Sequence, residues 1–311
     1  MSADPASDAV FHAGELALQR QDGSFEQLAR HGARIVQSAM AEAHQAFFAQ
    51  LPFLVLGAAD AGGQAWCGLI EARPGFVHAV DARSLRVDAL PASGDPLAAC
   101  LRPGAYVGML GIELGTRRRN RVNGRVLELD AGGFTVEVLQ SFGNCPRYIQ
   151  RREEHGEPGA GRTPAALRAP RLQGEAAALV RRADTLFVAT RAAEGRAGGG
   201  ADASHRGGRP GFVQVDDSGS RLAWPDFPGN RYFNTLGNLL LEPRAGLVFP
   251  DFASGGLVHV AGRAELLDGE AAAALGGAER AVLLHVEQVI HRPAALARRW
   301  RLLEYAPQLQ E

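Results

Sequence analysis

The residues best suited to chemistry lie between Ala201 and Phe252, most densely in Ala223-Trp224-Pro225-Asp226-Phe227-Pro228-Gly229-Asn230-Arg231. An apolar strand there runs into a Pro/Gly turn, and the pattern predicts that the turn opens a helix whose first residues are Asn230 and Arg231. Asparagine is a favoured helix cap because its side-chain oxygen accepts from the unpaired amides of the first turn. The remaining amides and the positive end of the helix dipole suit a phosphate or carboxylate. Arg231 adds a guanidinium able to grip such an oxyanion with two parallel hydrogen bonds. The predicted helix continues from Tyr232 to Leu241, with Phe233, Leu236, Leu239 and Leu240 on one face, and stops before Pro243. Upstream, Ser204-His205-Arg206-Gly207-Gly208-Arg209-Pro210-Gly211-Phe212-Val213 leads a polar, glycine-bearing loop into a strand. Together these read as an anion-binding strand–turn–helix. The plainer alternative is an ordinary capped helix on a surface turn.

Composition limits what such a site could do. The chain contains no lysine, so all 33 basic side chains other than histidine are arginine. A Walker-type phosphate loop needs its lysine and a Schiff-base enzyme needs an amine, so neither fits. Any phosphate must be held by arginine, backbone amides and hydroxyls. The 311 residues are 46% hydrophobic, enough for two cored domains. A formal charge of −1 gives no global reason to expect nucleic acid or an anionic membrane as partner. No apolar run reaches the roughly 18 residues of a membrane span, and no apolar leader is evident, so the expected location is the cytoplasm. Cys67, Cys100 and Cys145 are odd in number and far apart, which suits reduced thiols better than disulfides or structural zinc. His259, His285 and His291 have no metal-ligand spacing, and no metal is expected.

The elements that must position these residues follow a repeating rhythm. Phe25 to Gln50 reads as one amphipathic helix broken by Pro52. Short strands are predicted at 53–58, 65–70, 75–80, 85–89, 105–113, 121–129 and 134–140, with turn signals between them, which is the pattern of a small antiparallel barrel. Ser141 to Arg152 is expected to turn toward a helix, and Glu153 to Gly174, rich in Gly, Pro and charge, to be a linker. Glu175 to Arg182 is helical, and from Asp184 the strand pattern starts again. Arg73-Pro74-Gly75-Phe76-Val77 recurs as Arg209-Pro210-Gly211-Phe212-Val213. At nearly the same offset, Asn123-Gly124-Arg125 recurs as Ala261-Gly262-Arg263. A looser match sets Gln140 to Arg152 against Gln288 to Arg299 and needs an insertion in the second half. The expected organisation is an internal duplication: an N-terminal helical segment (1–50), a first barrel (51–152), the linker (153–174) and a second barrel (175–311), packed as a pseudo-dimer.

The halves differ where the chemistry would be. In this alignment Asn230-Arg231 corresponds to Asp95-Pro96, which puts a negative charge at the positive end of the helix dipole and removes an amide donor. Ser204-His205-Arg206 is replaced by the largely apolar Cys67-Gly68-Leu69-Ile70. The second half is expected to bind the anion and the first to be a degenerate, structural copy.

At these residues the chain resembles the pyridoxamine-5′-phosphate-oxidase-like, FMN-binding split-barrel superfamily, with most likeness to its predicted flavin-nucleotide-binding branch. The motifs are Ala201 to Val213, Leu222 to Phe249 and the strand bearing Asn-Gly-Arg or Ala-Gly-Arg in each half, and the resemblance covers roughly residues 50–150 and 184–300. It implies a mainly β fold of two tandem split β-barrels with flanking helices, and FMN bound non-covalently between two barrels. It also implies that Ser204, His205, Arg206 and Arg209 line the flavin and its phosphate. Trp224, Pro225 and Asp226 would run along the ring system, and Asn230 and Arg231 would hold the phosphate. The superfamily oxidase's phosphate lysine and its C-terminal substrate signature have no counterpart here, which argues against pyridoxamine phosphate as substrate.

Two further groups have competing readings. Thr116-Arg117-Arg118-Arg119-Asn120-Arg121 is either a solvated turn or a basic cluster at the barrel seam that neutralises the cofactor phosphate or recruits a phosphorylated reductant. In Ser141 to Tyr148, Cys145 is either a small buried hydrophobe or part of a turn laid against the flavin of the other half, with Asn144 and Tyr148 donating hydrogen bonds to it. Ala192 to Gly200 is expected to be a mobile loop that could act as a lid. The function expected is that of an FMN-dependent oxidoreductase acting on a small molecule, with NAD(P)H as a candidate reductant. The alternatives are a non-catalytic flavin-binding or sensor protein, or the same barrel holding haem or a deazaflavin. A further homodimer is compatible with the sequence.

Overall fold

A computed structural model describes residues 10–156, 165–192 and 199–309. The start of the expected helical segment (1–9), the middle of the expected linker (157–164) and most of the expected lid (193–198) lie outside the described residues. Three helices come first: α1 (Ala13–Asp22), α2 (Phe25–Ile35) and α3 (Glu42–Ala49). The first barrel is built from β1 (Phe53–Ala59), β2 (Ala65–Glu71), β3 (Val77–Asp81), β4 (Ser84–Val87), a 3-10 turn (Pro96–Ala99), β5 (Tyr106–Glu113), β6 (Arg118–Asp130) and β7 (Gly133–Gly143). Two short strands, β8 (Arg151–Glu154) and β9 (Leu167–Ala169), and helix α4 (Gly174–Arg182) lead to the second half. There follow β10 (Thr185–Ala192), β11 (Gly200–Gly207), β12 (Gln214–Val215), β13 (Arg221–Pro225), α5 (Asn234–Leu241), β14 (Arg244–Pro250), β15 (Leu257–Asp268), α6 (Gly269–Ala273), β16 (Arg280–Arg292) and β17 (Trp300–Glu304).

The two halves repeat one plan. The first sheet runs β2-β1-β5-β6-β7-β4-β3 and the second β11-β10-β14-β15-β16-β13-β12, the same order element for element. The long hairpins slip register at equivalent places, between Asn123 and Gly124 in β6 and between Ala261 and Gly262 in β15. Gln140 pairs with Asn123 and Gln288 with Ala261, so the loose third sequence match falls on equivalent ladder positions. The extra residues of the second half lie in its hairpin, which carries α6. The fold is mainly β, with two split-barrel bodies flanked by helices.

Each barrel fills with alternating apolar side chains, such as Leu54, Leu56, Val107, Met109 and Val122 in the first and Leu186, Val188, Leu247, Phe249 and Val260 in the second. A third cluster joins them: Val55, Leu110 and Ile112 of the first barrel pack with Phe187, Ala189, Val248 and Leu257 of the second. The backbones meet closely at this seam. A Cβ at Gly108 would fall 2.5 Å from the Cα of Asp202, and one at Gly246 would fall 2.6 Å from the Cα of Trp66. These two glycines occupy equivalent places in the two halves and let β5 and β14 press on the opposite barrel in the same way.

Three elements differ from expectation. The predicted helix over 25–50 is two helices, because Val36 turns extended and Gln37 pairs with Ser141 in a two-way backbone bridge. Ser141 to Arg152 contains no helix; β7 runs on to Gly143, and a turn leads to β8. The third difference concerns the helix expected at Asn230. Its first residue is Asn234, and Phe233 at its cap has φ 60°. Arg231 also lies in the left-handed region, at φ 62°, so no helix can include it. Asn230 Oδ1 accepts from Tyr232 N at 3.2 Å, a local turn that competes with helix formation. The two left-handed residues cost roughly 1–3 kcal/mol each. The turn they make inserts Tyr232 between Phe11 and Phe142, with ring centroids at 5.7 and 6.0 Å. Burying an aromatic ring of this size returns about 1.5–3 kcal/mol.

Candidate functional site: a cationic cleft between the barrels

The seam sets β6 of the first barrel against β11 of the second and leaves a cleft beside them. Alternation along β6 puts Arg119, Arg121 and Asn123 on one side. Arg121 is 2% exposed. Its Nη2 donates to Ser204 Oγ at 2.6 Å and its Nη1 to Asn234 Oδ1 at 2.7 Å, and the same nitrogen lies 2.8 Å from Asp202 Oδ1. Thr235, in the first turn of α5, donates its hydroxyl to Ser204 Oγ at 3.0 Å. Arg119 Nε donates to the carbonyl of Cys145 at 2.5 Å, and Nη1 stands 3.4 Å from Nδ1 of His205. Among the described residues Arg119 has no carboxylate partner. Arg206 pairs with Asp226 at 3.1 Å.

The electrostatics follow from crowding these cations out of water. Burial lowers Arg119 to about 9, and the charges of Arg121 and Arg206 add to the effect. Arg121 is also lowered, first by burial, although Asp202 opposes the shift. His205 falls well below its usual range, through burial and then Arg119 and Arg206, so its ring is neutral. An arginine N–H can only donate, so Nδ1 of His205 accepts and its ring proton sits on Nε2. Among the described residues that Nε2, together with Nε of Arg121 and Nε of Arg206, is buried without a partner. Six described arginines (119, 121, 147, 206, 231 and 280) line the cleft against three carboxylates (Asp22, Asp226 and Glu279). The first turn of α5, through Asn234, Thr235 and Leu236, forms part of the same wall. Unpartnered donors, excess positive charge and a helix start together make a site for an anion. The cleft has a cavity volume of about 130 Å³ and opens to solvent at its mouth.

The outer edge is a clasp between the halves. Tyr148, at φ 65°, stacks on Phe227 at 5.2 Å and donates its hydroxyl to Pro228 O at 3.1 Å. Arg147 donates to the same carbonyl at 3.3 Å, and Asn230 Nδ2 donates to Asn144 Oδ1 at 3.2 Å.

Of the residues singled out in the sequence, Ser204, His205, Arg206, Pro225, Asp226, Asn230, Arg231 and Asn144 line this cleft. Trp224 does not: it is fully buried in the core of the second barrel. Arg209 lies elsewhere, donating to Leu309 O at 2.8 Å with its guanidinium over Tyr305. Cys145, half-buried, contributes its backbone carbonyl to Arg119 and does not line the cleft. Asn230 is not the helix cap. Arg231 is 58% exposed in its side chain and pairs with Asp22 at 3.5 Å. Asn144 and Tyr148 spend their side chains on the clasp. The arginine cluster divides: Arg117 pairs with Glu304 at 2.6 Å, while Arg119 and Arg121 face the seam. Asn234, Thr235 and Asp202 were not singled out. The period-2 spacing of Arg119, Arg121 and Asn123 was the signal that could have marked their wall.

The equivalent place in the first half is closed. Helix α5 corresponds to the 3-10 turn at Pro96, so the alignment of Asn230-Arg231 with Asp95-Pro96 shifts by a few residues. Asp95 caps that turn, accepting from Leu97 N at 3.0 Å, and its other oxygen takes Arg292 Nη1 at 2.6 Å. His259, the counterpart of Arg121, is buried with its Nδ1 2.9 Å from Cys67 O, to which it donates. Gly68 stands where Ser204 does, and a Cβ there would fall 2.8 Å from Leu97. Carboxylate, arginine and leucine fill the space that is open in the second half.

Comparison with known proteins bears on the fold. Residues 172–298 match the family model of pyridoxamine 5′-phosphate oxidase. That match falls in the second half of the chain. Among solved structures it is similar to a variant of HupZ from group A Streptococcus, at 16% identity over 39% of this chain and 98% of that one, with a TM-score of 0.31. It is also similar to a candidate pyridoxamine 5′-phosphate oxidase from Lactobacillus delbrueckii, at 16% identity over 34% and 95% and a TM-score of 0.27. A third is HutZ, a heme storage protein from Vibrio cholerae, at 15% identity over 38% and 89% and a TM-score of 0.25. Comparison with curated proteins finds no match. No helix among the described residues is long and apolar enough to cross a membrane.

Proposed function

We propose that the cleft binds one FMN per chain and that the protein is an FMN-dependent oxidoreductase acting on a small molecule. The observation that carries the reading is Arg119, a guanidinium at the cleft with no carboxylate among the described residues, pressed by two other arginines. An arriving phosphate relieves that crowding and meets Arg121, Ser204, Thr235 and the open amides of α5 as well. Bound FMN would supply reversible hydride and electron transfer. The chain's own part is binding, orientation and charge beside the ring. Neutral His205, with its proton on Nε2, donates to an anion or a ring acceptor. The same tautomer disfavours it as an iron ligand, which favours flavin over haem. Asp226, its carboxyl raised chiefly by burial, holds Arg206 against the cleft wall.

The test is a visible spectrum of the purified protein followed by titration of apoprotein with FMN. Two broad near-UV and blue bands and a stoichiometry of one are expected, since the first-half site is filled by Asp95 and Arg292. A sharp Soret band, or no flavin binding, overturns the reading. Turnover with NAD(P)H and oxygen separates an enzyme from a flavin-binding protein.

A further inference from the structure

Helix α1 reaches the cleft at both of its ends. Near its start, Glu15 is 3% exposed. Its carboxyl accepts from His12 N at 2.9 Å and from Asn234 Nδ2. With the amide nitrogen of Asn234 committed to Glu15, its Oδ1 faces Arg121 and accepts from Nη1 at 2.7 Å. At the other end Asp22 lies 3.5 Å from Arg231 and 3.3 Å from Arg280, two arginines of the cleft mouth. The helix is seated without room for a side chain between it and α5. A Cβ at Gly14 would fall 2.0 Å from Gly237 O, and one at Gly237 would fall 2.6 Å from Glu15 N.

We propose that α1 is a working part of the anion site, in which Glu15 is a positioning residue that acts through Asn234 to set the guanidinium of Arg121 toward a bound oxyanion. A carboxamide can turn over by half a rotation, exchanging acceptor for donor. Turned over, Asn234 would point an NH2 at a guanidinium, and Arg121 would lose one of its anchors. Ionised Glu15 removes that alternative, because a carboxylate only accepts and only the nitrogen side of Asn234 can donate to it; the positioning is therefore fullest above the pH of about 8 to which burial raises Glu15. Arg121 keeps Asp202 and Ser204 in either case, so the expected effect is on aim and not on its presence. The inference rests on reading the cleft as an FMN phosphate site, and it adds an element outside residues 172–298.

The experiment is a double-mutant cycle on the full chain at pH 8.5, where Glu15 is ionised, with Glu15→Ala, Asn234→Ala and the pair, titrated with FMN and with riboflavin by flavin fluorescence. Glu15→Ala should weaken FMN about three- to tenfold, the range of one net hydrogen bond, and leave riboflavin unchanged. In the Asn234→Ala background the same change should have no further effect. Gly14→Ala, which unseats α1 without touching its polar groups, should reproduce the loss. Equal losses for both flavins, or effects that add in the double mutant, overturn the positioning role. If the wild type binds no FMN, the flavin reading falls and inorganic phosphate becomes the probe. A phosphate-induced rise in thermal midpoint that is present in the wild type and reduced in Glu15→Ala then supports the positioning role. Equal shifts in all the proteins, zero included, overturn it.

Discussion

Replacing Arg119 with methionine separates binding from stability, because the two should move in opposite directions. The methionine keeps most of the apolar stem and removes the charge. A charge-assisted hydrogen bond to a phosphate is worth roughly 1.5–3 kcal/mol, so FMN affinity should fall about ten- to a hundredfold. Riboflavin, lacking the phosphate, should bind as before. Stability follows from the cation's own cost. Arg119 is pressed down to about 9 by burial, with Arg121 and Arg206 adding to it. A cation whose folded-state pKa is depressed opposes folding in full below that value, and the opposition fades only as pH rises from there toward the group's ordinary value. At pH 7 removing it should relieve on the order of 1–2 kcal/mol once water in the cleft is allowed for. The lost bond to the Cys145 carbonyl offsets about 0.5–1.5 kcal/mol of that. The apoprotein should therefore unfold at the same temperature or slightly higher. Fluorescence titration with both flavins and a thermal melt of the apoprotein decide it. A melt lowered by several degrees, or riboflavin weakened as much as FMN, would show that Arg119 is a structural residue.

Arg231→Ala, although the sequence marks it as the phosphate anchor, should weaken FMN less than about fivefold, since an exposed ion pair of this kind is worth roughly 0.2–1 kcal/mol; a hundredfold loss in the same titration would restore it as the anchor. Asp95→Ala should destabilise by about 3–5 kcal/mol in urea unfolding, because it leaves the buried Arg292 without its counter-charge, and adding Arg292→Met should recover most of that. Glu15 is raised by burial to about 8 from 4.5, so the folded protein keeps a proton there that the unfolded chain has lost. Stability should then fall as pH rises from about 4.5 to 8. Glu15→Gln should remove about 3–5 kcal/mol of that fall; denaturation curves at pH 5 and 8.5 with the same difference in both proteins would refute it.

Strand positions, the repeated barrel and the rough location of the cleft were legible because they depend on local pattern. Period-2 alternation and turn residues mark β1 to β7 within a few positions, and Arg-Pro-Gly-Phe-Val, recurring at Arg209 after its first appearance at Arg73, discloses the second copy. The absence of lysine by itself obliges any phosphate to rest on arginine, backbone amides and hydroxyls. What the chain could not show is which arginine. Asn230-Arg231 reads as a helix start, since Asn is a good cap and apolar spacing follows. The turn there is decided by Tyr232 packing between Phe11 and Phe142, which belong to two distant segments of the chain. Trp224 looks like a ring-stacking residue until the barrel closes around it. Arg119 and Arg121 look like a solvated turn until β6 is laid against β11. Helix α1 falls inside the segment expected to be helical, but its start is not marked by a serine or aspartate, because His12 and Glu15 form its cap. Its role depends on Gly14 meeting Gly237, a contact between chain segments far apart that only the tertiary structure brings together.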